Sequence, residues 1–417
     1  MGGSALMGTN LATFRSQAVQ PKKSRFLGYD PWLFVTVIAM IAFGLVMVYS
    51  ASWDVSWRLY DDPNAIFRRQ VQNLALGLIV MAIASRIPLR WLRTLALPGM
   101  LFAILALFTV LVFGAAEGPR RAFLSGSIQP SEMAKLVMIT YLAVWMESKE
   151  DRLRDWGYGL IPLVIMIGFV GGLILLQPDL SAAITIGVVA LVLFYLAGAT
   201  WTQTGAIALG SAGIGLLLVR VSNTGQQRWL EYVNGLFDVE EASYHVKQSL
   251  QAFYSGGLIG RGLGASREKF GLLPAPHTDS IFAIVGEELG LLGALLILFL
   301  FGFLIWRGFR IAMNQPDRLG MLLACGITFW IGLEAVVNMA VLLGLLPFAG
   351  NALPFFSYGG SSLVTNLAGI GLLLNISRWK LVETRAKDHV ATLGFGRRHG
   401  GRSVSRLSRR RRTQKKR

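Results

Sequence analysis

Ten apolar runs, most of them nearly free of charge, alternate with polar connections along this 417-residue chain. They fall at Trp32–Ser50, Val71–Ala84, Leu92–Gly114, Ser131–Met146, Tyr158–Leu176, Leu180–Leu196, Thr202–Leu218, Ser280–Trp306, Leu319–Gly344 and Ser361–Ile376. Several reach roughly 18 residues or more, enough for a helix to cross the hydrocarbon core of a bilayer. The short alternating segments of a membrane barrel are not visible. The pattern predicts an all-α, polytopic integral membrane bundle of ten transmembrane helices. The second and fourth runs are short, so their helices should extend into the flanks.

Connections between packed helices usually need about 2–8 residues, and one here needs far more. Arg220 to Asp279, between the seventh and eighth runs, contains two amphipathic stretches, Trp229 to Phe237 and Val246 to Tyr254. A connection of that kind is expected to be functional. The basic segments Arg86–Arg93 and Arg307–Arg318 mark the cytoplasmic side, which places both termini inside and the long loop outside. The expected organisation is a cytoplasmic segment over 1–29, a membrane domain over 30–378 with its extracytoplasmic loop at about 220–279, and a basic, disordered cytoplasmic tail over 379–417. Polar residues precede the first run and that run is span length, so it reads as an uncleaved signal anchor.

Composition supports a membrane solvent: 53% of residues are hydrophobic, only 15% charged, and mean hydropathy is +0.53. A soluble chain of this size carries about a quarter charged residues. Most of the formal net charge of +17 sits after Ile376. That tail suits anionic inner-leaflet lipid. No aromatic residues interleave with its terminal Arg409 to Arg412 run, so nucleic acid is not expected. The single cysteine, Cys325, lies in an apolar run and reads as a small buried hydrophobe.

With both termini inside, each even-numbered helix begins outside, where unpaired N–H groups and the positive dipole end favour anions. Polar clusters stand at four such starts: Gln129-Pro130-Ser131-Glu132, Gln177-Pro178-Asp179, His277-Thr278-Asp279-Ser280 and Tyr358-Gly359-Gly360-Ser361-Ser362. Their coincidence predicts one outward-facing site for an anionic, diphosphate-bearing ligand. Glu132 and Lys135, spaced i,i+3, share a helix face and read as an ion pair; such a pair should regain part of its stability when the two side chains are exchanged. Asp179 reads as the N-cap of the sixth helix. Asp279 reads either as a general base or as an N-cap. Glu287 and Glu288, further along the same apolar run, favour a working site, because ionisable groups in membrane helices are costly. Glu334 and Asn338, at i,i+4, could form an interior polar pair, with packing the favoured role. Arg120 and Arg121 suit interface anchoring and phosphate binding equally.

These segments in this order resemble the SEDS family (shape, elongation, division and sporulation) of polytopic peptidoglycan glycosyltransferases. The resembling stretches are GSIQPSEMAKL (126–136), QPDL (177–180), QSLQAFYSGGLIGRGLG (248–264), LPAPHTDSIFAIVGEELG (273–290) and LPFFSYGGSS (353–362). The loop before Asp279 and the SYGGSS run look more like the division-type branch, FtsW, than the elongation-type branch, RodA. The resemblance implies polymerisation of lipid II into a nascent glycan strand at the outer face of the cytoplasmic membrane, at the septum, with release of undecaprenyl diphosphate. It also implies Asp279 as the catalytic carboxylate, and Arg121, Glu132, Lys135, Asp179, His277 and Ser361 at the substrate. A class B penicillin-binding protein transpeptidase and other divisome proteins are the implied partners. A divalent cation, Mg or Mn, is the one cofactor it suggests, and no carboxylate cluster is assigned to hold it. Two departures stand out: Ala122 where the family usually has Trp, and Pro347-Phe348-Ala349-Gly350-Asn351 in place of a Pro-Thr-x-Gly pattern. A lipid II transporter is the rival; it calls for broken helices near the midplane and internal repeats, which the sequence does not display.

Overall fold

The computed structural model describes residues 28–113 and 129–395, with twelve α-helices and no strand among them. In chain order they are α1 (Pro31–Tyr60), α2 (Ala65–Ala84), α3 (Leu89–Phe113), α4 (Pro130–Ser148), α5 (Ile161–Leu176), α6 (Leu180–Leu196), α7 (Trp201–Val221), α8 (Asn223–Gly235), α9 (Tyr244–Gly256), α10 (Ile281–Met313), α11 (Arg318–Leu342) and α12 (Gly360–Phe395). Each apolar run lies on one of these helices, give or take a residue or two, except that the fifth begins on a π-helical turn, Trp156–Leu160, that leads into α5. The short second and fourth runs extend into their flanks as α2 and α4.

Helix starts follow from the local sequence. Asp30 caps α1, accepting from Leu33 N at 3.0 Å, and Pro31 at the first helical position has no N–H to leave unpaired. Asp179 and Asp317 cap α6 and α11 in the same way. Eight of the helical segments are long and apolar enough to cross a membrane. The two other runs fall short for identifiable reasons: α4 carries Glu132, Lys135 and Glu147, and α6 has 17 residues. Both are interior, α4 packing on α3, α6, α11 and α12, and α6 on α4, α5 and α11. The centre of the bundle is α11 with the first half of α12, around the fully buried Trp330, Phe301 and Phe356. By contrast α7 stands at the periphery, touching chiefly α6 and α8.

Two findings differ from the sequence expectation. Helix α12 continues to Phe395, into the segment assigned to a disordered tail. That stretch, 379–395, contains one glycine and no proline to end a helix. Helix α10 is two helices, because Gly290 interrupts it with φ 67° and ψ −163°. The loop segment 257–262 fills the break: Arg261 N and Gly262 N donate to the carbonyls of Glu287 and Glu288 at 3.0 and 2.9 Å, and Leu291 N donates to Gly257 O at 2.9 Å. A Cβ on Gly290 would lie 2.4 Å from Gly260 N, so only glycine permits this approach.

Candidate active site

Asp279 lies at the end of the long loop, two residues before the first residue of α10. The N-cap position of α10 falls on Ser280, whose side chain makes no capping hydrogen bond. Its segment folds back on itself through Ser280 Oγ, which donates to Pro274 O at 2.9 Å, and Thr278 N, which donates to Ala275 O at 3.1 Å. The segment before α12 then braces it. Tyr358 N donates to His277 O at 2.8 Å, and Ser357 Oγ to Thr278 O at 2.7 Å. From α11, Asn338 Nδ2 donates to Asp279 O at 2.9 Å and also to Asn351 O. Asn351 takes a further hydrogen bond from Ser181 of α6. The turn at Gly350 passes so close that a Cβ there would meet Asp279 Oδ2 at 3.3 Å. Asp279 is half-buried, with its own carbonyl held from α11 and the two residues before it held from the segment preceding α12.

The other predicted residues gather around this frame. Asp179 Oδ1 caps α6 through Ala182 N at 3.1 Å, while its Oδ2 accepts from Gln129 Nε2 at 2.8 Å and Ser131 Oγ at 2.7 Å. Ser361 Oγ accepts from Gln129 N at 3.2 Å. The four helix starts of α4, α6, α10 and α12 are thus joined by hydrogen bonds into one end of the bundle. Asp179 spends both oxygens on that junction and acts as its clasp. His277 packs its ring on Tyr358, with centroids 5.6 Å apart. Burial pushes its imidazole down to about 4, so it is neutral near pH 7, and its buried Nδ1 has no hydrogen-bond partner among the described residues. Arg121 lies outside the described residues.

Lys135 pairs with Glu132 at 2.8 Å, as its i,i+3 spacing predicts, and also with Glu334 of α11. Lys135 and Glu334 are both about 3% exposed, so the ammonium is held between two carboxylates in a dry interior. Reading Glu334 with Asn338 as a pair is corrected here. The two share a face of α11, but Glu334 turns to Lys135 and Asn338 to the Asp279 and Asn351 carbonyls. One turn of α11 therefore links the buried charges to the candidate base, a connection that spacing within one helix does not reveal.

Glu287 and Glu288 are fully buried yet satisfied by the loop and by Ser50 of α1. Glu287 accepts from Ser266 Oγ, from Arg267 N at 2.9 Å and from Arg261 Nη1 at 3.4 Å. Glu288 accepts from Ser50 Oγ at 2.6 Å and from Lys269 Nζ at 2.9 Å. Their burial costs are met by anchoring 261–269 to α10, and Glu287 contributes to the raised carboxyl of Glu268 after burial itself. Among the described residues no three His, Cys, Asp or Glu side chains come together as a metal site.

Residues 31–381 match the profile of the FtsW/RodA/SpoVE family, described as cell cycle proteins. The chain is 39% identical over 356 residues to a probable peptidoglycan glycosyltransferase FtsW of Geobacter sulfurreducens, covering 84% of this chain and 95% of that one. It is 37% identical to the stage V sporulation protein E of Bacillus subtilis, over 84% of this chain and 97% of the relative. Its fold is similar to a solved structure described as "Structural coordination of polymerization and crosslinking by a peptidoglycan synthase complex", with TM-score 0.68, 29% identity and coverage of 85% and 99%. It is also similar to the crystal structure of the rod shape determining protein RodA of Thermus thermophilus, with TM-score 0.62, 31% identity and coverage of 85% and 98%.

Proposed function

The chain belongs to the FtsW, RodA and SpoVE family, and from that premise we propose that it polymerises lipid II into glycan strands as a division-type peptidoglycan glycosyltransferase. The observation that carries the assignment of chemistry is the placement of Asp279. It stands just before α10, where four helix starts meet, with its carbonyl held from α11 and the two residues before it held from the segment preceding α12.

In this reading Asp279 accepts the proton of the acceptor sugar hydroxyl as that oxygen attacks the anomeric carbon of the growing strand. The glycosidic bond forms as the bond to undecaprenyl diphosphate breaks, and the diphosphate leaves with the bonding electrons. Developing negative charge there is favoured by the converging helix N-termini. Lys135, locked between two carboxylates, holds α4 against α11, and Glu132, Ser361, His277 and Arg121 border the substrate. Asp179 serves mainly by holding the α4 and α6 starts together. No cage of protein ligands is present among the described residues, so a divalent cation would be held chiefly by the substrate diphosphate, as Mg commonly is. No step above depends on it.

All ten apolar helices are read as membrane spans, the interior α4 and α6 included, with both termini and the basic tail on the cytoplasmic side and the 222–280 loop outside. A class B penicillin-binding protein transpeptidase at the septum is the proposed partner, in keeping with the fold's similarity to a peptidoglycan synthase complex. A lipid II transporter is disfavoured because the buried charges of α4 and α11 are engaged with one another instead of lining a route.

The decisive experiment supplies purified chain, its transpeptidase partner and labelled lipid II in detergent. Asp279→Asn should be produced and bind its partner normally yet yield no glycan polymer, since an amide has no useful basicity near neutral pH. Polymerisation by this variant at a rate near wild type would remove Asp279 as the base and direct attention to Glu132.

A further inference from the structure

At the end of the bundle opposite Asp279, a cleft of about 520 Å³ opens between the start of α1, the last turns of α10 and the middle of α12. Tyr29, Asp30, Trp32, Arg307, Arg310 and Ser377 are among the residues lining it. Beyond the break at Gly290, residues 291–313 alone run about 34 Å as helix, enough to cross the hydrocarbon core of a bilayer, and Asp279 precedes the other end. The cleft therefore sits at the other membrane interface from the candidate active site.

Its charges do not balance. Asp30 is the one carboxylate in the lining, and both its oxygens are committed. Oδ1 caps α1 through Leu33 N, and Oδ2 pairs with Arg307. Arg307 still has a buried Nε with no hydrogen-bond partner among the described residues. Arg310 makes no ion pair among them, and the guanidinium groups of Arg307 and Arg310 each lie 5.3 Å from the centroid of the Trp306 ring. Arg378 adds a further cation over Tyr29 at 5.7 Å. The walls at this end are apolar and exposed: Trp32 and Trp306 leave half or more of their surface uncovered. Surplus guanidinium donors above exposed aromatic faces suit a molecule with an anionic, phosphate-bearing head and an apolar body.

We propose that this cleft is a specific site for the phosphodiester head of an anionic glycerophospholipid, with Arg310 as its principal ligand and Arg307 Nε as a second donor. It is separate from diffuse attraction of lipid to the C-terminal basic run, and it does not rest on the polymerase reading.

The test titrates the purified full-length chain in neutral detergent with phosphatidylglycerol, with phosphatidylcholine of the same acyl chains, or with glycerol 3-phosphate, and follows the thermal midpoint. Ligand that binds the native state alone raises that midpoint. Phosphatidylglycerol should raise it, and neither of the others at equal concentration should do so. Arg310→Gln removes an exposed side chain, so it should unfold like wild type without lipid but lose roughly half or more of the lipid increment. Replacing Arg409 to Arg412 by Gln should leave the increment in place. An increment that survives Arg310→Gln and disappears with the tail substitutions would overturn the site. So would equal stabilisation by phosphatidylcholine or glycerol 3-phosphate.

Discussion

Asn338 makes the shortest connection between the bundle and the candidate base, and its chemistry is specific to an amide. Its Nδ2 donates to two carbonyl oxygens, those of Asp279 and Asn351, and its Oδ1 is buried with no partner among the described residues. Asn338→Asp keeps the shape but replaces the donor with an acceptor, turning two attractions into repulsions. A misplacement of 1 Å can cost on the order of a hundredfold in rate. Asn338→Asp is therefore expected to lose about that much polymerisation activity, and more than Asn338→Ala loses. Equal losses in the two variants, measured with labelled lipid II, would reduce Asn338 to a packing residue. Asp279 itself was legible in the sequence because it stands beside a proline-rich turn before an apolar run. Asn338 was not, since its partners are main-chain carbonyls contributed by two loops remote in sequence.

At the level of elements, the link between α4 and α11 changes what the buried charges should tolerate. A two-membered pair of Glu132 and Lys135 would survive exchange. With Glu334 as the third member, Lys135→Glu places a carboxylate against another in a dry interior. The double variant Glu132→Lys with Lys135→Glu should therefore be no more stable than Lys135→Ala. The single change itself is expected to cost about 3–5 kcal/mol as an uncompensated buried charge. Thermal unfolding in detergent separates the cases, and recovery in the double variant would sink the three-membered arrangement. The helices themselves were readable because lipid requires long uninterrupted apolar runs. The break in α10 was hidden for a related reason: Leu289 and Leu291 flank Gly290 within an otherwise apolar run, and hydropathy is blind to a turn whose main-chain groups are satisfied by a distant loop. Glu287 and Glu288 were visible as costly charges, but their partners, Ser266, Arg261 and Lys269, lie in that loop.

For the whole molecule, orientation rests on the basic connections and is open to direct labelling. Cys325 is buried, so an introduced cysteine should dominate the reaction with an impermeant thiol reagent. A cysteine in place of Asn234, on α8, should react from outside intact cells, and one in place of Gln414 should not. The reverse pattern would invert the topology and move the candidate site to the cytoplasm. The interruption at Gly290 has a mechanical meaning at this scale. Below it, Leu291–Met313 must match the hydrocarbon it crosses; above it, the short helical piece following Asp279 hangs from the loop through Glu287 and Glu288. Stretching or thinning of the lipid layer is then absorbed by tilt of the lower piece, and the upper piece keeps its register with the loop, like an instrument on a gimbal. Polymerisation rates in vesicles of graded acyl-chain length should stay nearly level across a range in which a continuous helix would transmit every ångström of mismatch to the carboxylate.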